Sequence, residues 1–337
     1  MAKTRVAING FGRIGRHAFK IAWAKKDIEI VAVNDLTDNK MLAHLLKYDT
    51  AYPDFKPSVS FDEKHLVVGG EKILSFSERD PSALPWKKLK VDVVLECTGI
   101  FRTSDTAGLH LKAGAKRVII SAPAKGDDIK GFVRGVNCRT YNNESIIDTA
   151  SCTTNCTTPP MAVIDREFGV EKALLTTIHA YTAGQNLQDG PSGDMRRARA
   201  AAQNIVPTST GAAIATTKVL HELEGKFDGM AIRVPVITVS LIDVTAVLKK
   251  NVTVEEVNAA FTKAAGKELK GILDVTEEPL VSSDFIGNRF SSTVDLSLTK
   301  VIGGNLLKFI AWYDNEWGYA SRLVEMVSVV GKKSKLN

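Results

Sequence analysis

Cys152 stands in Ala150-Ser151-Cys152-Thr153-Thr154-Asn155-Cys156, where small hydroxyl residues surround one sulfur just ahead of an apolar-periodic run, Met161 to Phe168. This reads as a strand-to-helix turn with Cys152 near a helix N-terminus, where unpaired N–H groups favour a thiolate over a thiol. The same N–H groups would face any oxyanion forming beside the sulfur. The chemistry on offer is nucleophilic catalysis; the bland alternative is an inert buried thiol. A base is within the chain's means. Thr177-Ile178-His179-Ala180-Tyr181-Thr182 sets His179 at the end of an apolar strand, and a Cys152–His179 pair would depress the thiol pKa and later move protons.

Further segments carry anion chemistry. Arg196-Arg197-Ala198-Arg199, on its own readable as a solvated helix face, is followed by Pro207-Thr208-Ser209-Thr210-Gly211-Ala212. Hydroxyls and a glycine at a helix start make a small anion site, and arginine adds bidentate phosphate contacts. Arg233 ends the strand Met230-Ala231-Ile232 and is expected in the same cleft. Together they suggest substrates carrying phosphate. Asn315, inside Trp312-Tyr313-Asp314-Asn315-Glu316-Trp317-Gly318-Tyr319, offers an amide able to bond a nicotinamide carboxamide; packing of an aromatic-rich strand end is the alternative.

Elements must position these groups. A strand from Arg5 to Asn9 leads into Gly10-Phe11-Gly12-Arg13-Ile14-Gly15, a helix from Arg16 to Trp23 and a second strand, Ile28 to Asn34, that ends in Asp35. Strand, G-x-G-x-x-G, helix, strand and terminal acid form the dinucleotide-binding fingerprint. Gly10 permits the tight turn, Gly12 admits the pyrophosphate, Gly15 lets helix and strand pack closely, and Asp35 accepts from ribose hydroxyls. A carboxylate at Asp35 with no arginine directly after it favours NAD over NADP. Helices over Leu42–Leu46 and Asp105–Ala113 and strands over Val91–Glu96 and Arg117–Ser121 extend a doubly wound first domain. After Cys152, strands over 174–177, 230–234, 237–248 and 306–313, with a helix over Val254–Ala265, predict an α+β catalytic domain on a mostly antiparallel sheet. The expected boundaries are 1–150 for the Rossmann domain, completed by a C-terminal helix at 315–337, and 151–314 for the catalytic domain. Only the last seven residues look frayed.

Composition bounds the answer. At 337 residues and 44% hydrophobic, the chain can fill two cores. It has no run long and apolar enough to span a membrane and no signal-like leader, and its four cysteines are too few for a disulfide framework. A cytoplasmic protein is expected. No histidine pair accompanies Cys152 and Cys156, so no metal site is expected. The net charge of +6 decides nothing alone, and neither a basic stripe nor an RNA-stacking signature supports nucleic acid binding as the main role.

Along nearly its whole length the chain resembles the phosphorylating glyceraldehyde-3-phosphate dehydrogenases. The resemblance runs from Ile8-Asn9-Gly10 through Ser151-Cys152-Thr153-Thr154-Asn155-Cys156, His179-Ala180-Tyr181-Thr182 and Arg196-Arg197-Ala198-Arg199 to the Trp312–Tyr319 stretch. It implies that Cys152 attacks the aldehyde of glyceraldehyde 3-phosphate with His179 as base. The hemithioacetal gives up a hydride to NAD, and inorganic phosphate captures the thioester as an acyl phosphate, a step of glycolysis. It further implies Thr182 and Arg233 as ligands of the substrate's phosphate, and Ser151, Thr153, Thr210 and Gly211 as the inorganic-phosphate site. Arg197 would serve phosphate groups, and Arg13, Ile14, Asp35, Arg79, Ser121 and Asn315 would contact the cofactor. A homotetramer is implied as well. The related erythrose-4-phosphate dehydrogenases are the alternative; they typically lack the Thr210-Gly211 pair and the Ala180-Tyr181-Thr182 run. The sequence departs from the family at Thr157, where an apolar residue is usual, at Val236-Ile237-Thr238, and at Ser192-Gly193, where histidine-lysine is common.

Overall fold

In this computed structural model, residues 3–334 are described; of the last seven, expected to fray, 331–334 instead continue the final helix and 335–337 lie outside the described residues. The chain divides into two compact units. The first takes the residues up to Phe132, Thr140–Ala150 and the segment from Ala320 onward; the second takes Val133–Arg139 and Ser151–Tyr319.

The first unit contains β1 (Thr4–Asn9), α1 (Arg13–Trp23), β2 (Ile28–Asn34), α2 (Asn39–Lys47), β3 (Val59–Phe61), β4 (His65–Val68) and β5 (Glu71–Phe76). It continues with β6 (Val93–Glu96), α3 (Ser104–Ala107), α4 (Leu109–Lys112), β7 (Arg117–Ile120), β8 (Lys130–Gly131) and β9 (Ile146–Asp148). Its nine strands lie in the order β3-β4-β5-β2-β1-β6-β7-β9-β8. The run from β5 to β9 is parallel, and in order of appearance it reads 3-2-1-4-5-6, the doubly wound order of dinucleotide-binding sheets. Central strands covered on both faces must be apolar throughout, which Val6, Ala7 and Ile8 in β1 and Val93, Val94 and Leu95 in β6 satisfy, all wholly buried. The helix expected from Asp105 to Ala113 is instead two short helices meeting at Gly108, where an added Cβ would come within 2.6 Å of the Ser104 carbonyl oxygen.

The second unit opens with α5 (Cys152–Phe168) and continues with β10 (Val170–Ala180), β11 (Val206–Ser209), α6 (Ala212–Thr217), β12 (Phe227–Val234) and β13 (Ser240–Leu248). Then come α7 (Val254–Gly266), β14 (Leu273–Thr276), β15 (Ser292–Ile302) and β16 (Leu306–Tyr313). Its seven strands run β11-β12-β10-β13-β16-β15-β14, with parallel pairing only between β10 and β12 and between β14 and β15. β13 alternates buried and half-buried residues along its length, as a strand with one face on a core must. Its inward residues Ile242 and Val244 join Met161, Val163 and Ile164 of α5 and Phe261 of α7 in one cluster. The strand expected from Ile237 starts at Ser240, because Val239 takes φ 69° and breaks the extended path. The Arg196–Arg199 run is turn and loop instead of a helix face. α8 (Trp317–Ser334) closes the chain; its Leu323, Val324, Val327 and Val330 are buried, and Ser328 Oγ bonds Asp27 Oδ2 at 3.0 Å. No helix among the described residues is long and apolar enough to cross a membrane.

Candidate active site

α5 begins at Cys152 itself. Ser151 is its N-cap, with Oγ accepting from Thr154 N at 3.0 Å, while Asn155 N bonds the Ser151 carbonyl at 2.9 Å. That leaves the N–H groups of Cys152 and Thr153 outside the helical ladder, and both favour negative charge on the Cys152 sulfur. Thr157 is fully buried and donates Oγ1 to the Thr153 carbonyl at 2.8 Å, and Thr158 does the same to Thr154 at 2.7 Å. Internal bonding therefore explains how a polar residue fits where the family usually has an apolar one.

Strand β10 delivers His179 to this helix start. Its Nε2 lies 3.4 Å from Cys152 Sγ, and its Nδ1 lies 2.7 Å from the Ala180 carbonyl oxygen. A carbonyl only accepts, so Nδ1 carries the proton and Nε2 turns its lone pair to the sulfur. The expectation of a thiol depressed below its ordinary value is corrected here. Burial pushes the Cys152 thiol above 9.0, outweighing Arg233 and the donors at Thr153. Burial and then Arg233 push His179 down to about 3. Neither charge is stable alone; thiolate and imidazolium form together, when the proton crosses from Sγ to Nε2 and their mutual attraction offsets the lost hydration.

Arg233, at the end of β12, reaches the same corner. Its Nη1 donates to the Ala180 carbonyl at 3.1 Å and lies 3.2 Å from His179 Nδ1 and 3.4 Å from Thr182 Oγ1. Arg197 donates through Nε to Thr208 Oγ1 at 3.0 Å and is near enough to lower the His179 pKa. Thr210 Oγ1 caps Ala212 N at 3.2 Å, and Gly211 precedes α6 in an exposed position. Thr153 is placed differently from a surface donor: its hydroxyl is buried 2.8 Å from Tyr313 Oη, and both its side chain and its backbone N–H bond the Cys152 sulfur. Tyr313 also bonds Thr177 Oγ1 at 2.8 Å, tying α5, β10 and β16 behind the nucleophile. Sequence reasoning noticed this tyrosine only as part of an aromatic stretch. Asn315 is 5% exposed, with Oδ1 on Ser240 Oγ at 3.0 Å.

In the first unit a cavity of about 490 Å³ opens at the carboxyl ends of β1 and β6, where the strand order reverses. Its lining includes Gly10, Gly12, Asp35, Arg79 and Thr98. Gly10 has φ 88°, and a Cβ there would lie 2.6 Å from Thr98 N; one at Gly15 would lie 2.1 Å from the Gly10 carbonyl oxygen. By contrast a Cβ on Gly12 meets no protein atom within 4 Å, so its bareness leaves room for something other than protein. Asp35 accepts from Phe11 N at 2.7 Å and Thr37 N at 3.0 Å, which holds both oxygens at the cavity wall. These residues fit the adenosine half of a dinucleotide, with the α1 N-terminus for its phosphates. Arg13, Ile14 and Ser121 are not in the lining: the Arg13 guanidinium pairs with Asp49 at 2.8 Å, and Ser121 bonds the half-buried Cys97. Beneath the cavity floor, Glu96 accepts from Asn9 Nδ2 at 2.6 Å, His110 Nε2 at 3.0 Å, Thr98 N at 2.8 Å and the Thr98 hydroxyl. Reading the sequence singled out none of that network.

Residues 4–104 match the family model described as "Glyceraldehyde 3-phosphate dehydrogenase, NAD binding domain", and residues 151–315 match its "C-terminal domain". The chain belongs to the glyceraldehyde-3-phosphate dehydrogenase family. Similar curated proteins include glyceraldehyde-3-phosphate dehydrogenases of Geobacillus stearothermophilus, 52% identical over 98% of both chains, and of Mycobacterium avium, 55% identical over 97% of this chain and 98% of that one. A chloroplastic form from Arabidopsis thaliana is 51% identical over 99% of this chain and 85% of its own. Family membership makes the chain an NAD-dependent dehydrogenase, and the cavity at Gly10 and Asp35 fits that cofactor.

Proposed function

We propose that the chain oxidises glyceraldehyde 3-phosphate to 1,3-bisphosphoglycerate in glycolysis, in the cytoplasm. The observation that carries this reading is Cys152 Sγ at a helix N-terminus, 3.4 Å from the bare Nε2 of His179. Attack by Sγ on the aldehyde carbon passes the thiol proton through Nε2 to the oxygen, giving a hemithioacetal. The N–H groups of Cys152 and Thr153 support the oxygen while it carries charge. Bound NAD supplies the hydride acceptor. As the hydride leaves carbon, Nε2 takes the hydroxyl proton and a thioester remains on Sγ. Inorganic phosphate then attacks the thioester carbon, and the departing thiolate is stabilised by the imidazolium. Arg233 and Thr182 would hold the substrate's phosphate, and Arg197, Ser151, Thr210 and Gly211 the attacking one. Asp35, Arg79 and the α1 N-terminus would hold the cofactor's adenosine and phosphates, and Asn315 its carboxamide. Purified protein should reduce NAD only when phosphate or arsenate is present, and Cys152→Ser should abolish turnover; equal rates without either anion would overturn the reading.

We also infer a homotetramer. Leu174, Leu187, Met195 and Ile205 are 65–90% exposed, and a groove of about 800 Å³ is lined by Leu174, Ile214, Phe227 and Leu306. So much apolar surface supports self-association. Light scattering during gel filtration should return a four-chain mass; a monomer at micromolar concentration would refute it.

A further inference from the structure

β13 begins at a distorted corner. Val239 is 1% exposed and has φ 69°. A β-branched residue in the left-handed region is a steric outlier that persists only where its surroundings over-determine it. Both flanks of Val239 are tied down. Thr238 Oγ1 donates to Asp314 Oδ1 at 3.3 Å, and Asp314 in turn accepts from Glu316 N at 3.0 Å, Trp317 N at 2.9 Å and Gly287 N at 2.8 Å. On the other side Ser240, 2% exposed, accepts from Ala180 N at 3.1 Å and bonds Asn315 Oδ1 at 3.0 Å. An amide oxygen only accepts, so the single hydroxyl proton of Ser240 goes to Asn315. With Oδ1 engaged, the Asn315 NH₂ is the group left to meet a ligand, and it has no hydrogen-bond partner among the described residues.

We propose that Ser240 is a positioning residue for the cofactor. It locks the Asn315 amide with its NH₂ presented outward, and it ties that amide to the residue following His179. Base and amide are thereby referenced to one hydroxyl, and the strained Val239 is the consequence of placing that hydroxyl between them. The proposal rests on the reading that Asn315 binds the nicotinamide carboxamide.

A double-mutant cycle on the full chain tests it, with the KM for NAD and kcat measured for wild type, Ser240→Ala, Asn315→Ala and the double variant. Ser240→Ala should raise the KM for NAD roughly tenfold, as expected for one lost hydrogen bond to an amide that must hold one orientation. In the Asn315→Ala background the same change should move KM less than about twofold, because a residue acting through Asn315 has nothing left to position. Ser240→Cys, near in size and a weak donor, should fall between wild type and Ser240→Ala, and it carries the cycle if the alanine variant does not fold. Additive effects, or an unchanged KM in Ser240→Ala, would overturn the proposal while leaving the role of Asn315 standing. An unchanged KM in Asn315→Ala would instead remove the underlying reading, and the proposal with it.

Discussion

Replacing His179 by asparagine tests the protonation argument at its centre. At 3.4 Å, with an effective dielectric of about 20, a thiolate and an imidazolium attract by about 5 kcal/mol. Holding His179 near 3 instead of 6.5 represents a penalty of similar size from burial and then Arg233, about 5 kcal/mol, so the charged pair is within reach only while both members are present. Without the imidazole, a thiol raised by burial holds less thiolate with every unit that pH falls. Cys152 is half-buried, so water screens part of the attraction. Attraction and penalty cancel, so the ion pair outweighs the lone thiolate only below about pH 6.5, and at pH 5 the drop in reactivity should be roughly tenfold to a hundredfold, about 1.4–2.7 kcal/mol. Iodoacetamide alkylation of Cys152, followed from pH 5 to 10 by mass spectrometry of its peptide, measures this without substrate or cofactor. Wild type should retain a reactive plateau from about pH 6 down to pH 5, whereas His179→Asn should lose rate about tenfold for each unit that pH falls. An asparagine variant alkylated at the wild-type rate at pH 5 would refute the reasoning, since the helix start and Arg233 would then suffice.

The same histidine links stability to pH. Its folded pKa is depressed, so its contribution is fully present above 6.5 and is lost as pH falls from there toward about 3; wild type should lose about 2 kcal/mol more than His179→Asn between pH 7 and 5, read from denaturant midpoints. Arg233→Ala removes a charge that lowers His179, so histidine NMR should show its pKa rise, and the KM for the phosphorylated aldehyde should increase at least tenfold. Gly10→Ala drives a Cβ to 2.6 Å from Thr98 N at a positive φ, and should lower stability by about 1–3 kcal/mol and weaken NAD binding in a fluorescence titration. Asp35→Ser removes the carboxylate that opposes a 2′-phosphate, and should raise the NADP-to-NAD ratio of kcat/KM at least tenfold; an unchanged ratio would move selectivity elsewhere.

Where local chemistry decides, the sequence was readable. The glycine fingerprint is legible because a positive φ at Gly10 and a close approach at Gly15 each demand a missing side chain, whatever the rest of the fold does. The apolar stretch ending at Glu96 was legible as a buried parallel strand for the same reason: only such a strand needs no polar face. Reading failed where a local pattern was overruled. A stretch rich in β-branched residues suggested a strand from Ile237, but the ties from Thr238 to Asp314 and from Ser240 to Asn315 bend the chain at Val239, and both partners lie over 70 residues away. The arginine run looked helical, yet Asp194 and Asp189 capture its backbone and side chains and hold it in turns.

The sequence by itself determined which groups are present and which face each strand and helix must bury, because periodicity and backbone sterics act over a few residues. It therefore named Cys152, His179 and Asp35. The tertiary structure decided their state. Whether Cys152 rests as thiol or thiolate depends on how much water the fold removes around it. Which nitrogen of His179 faces the sulfur depends on where the Ala180 carbonyl points, and the Thr153 hydroxyl meets Tyr313 only because β16 brings that ring behind α5. Desolvation and hydrogen-bond direction are properties of the packed surroundings, and no window of sequence contains them.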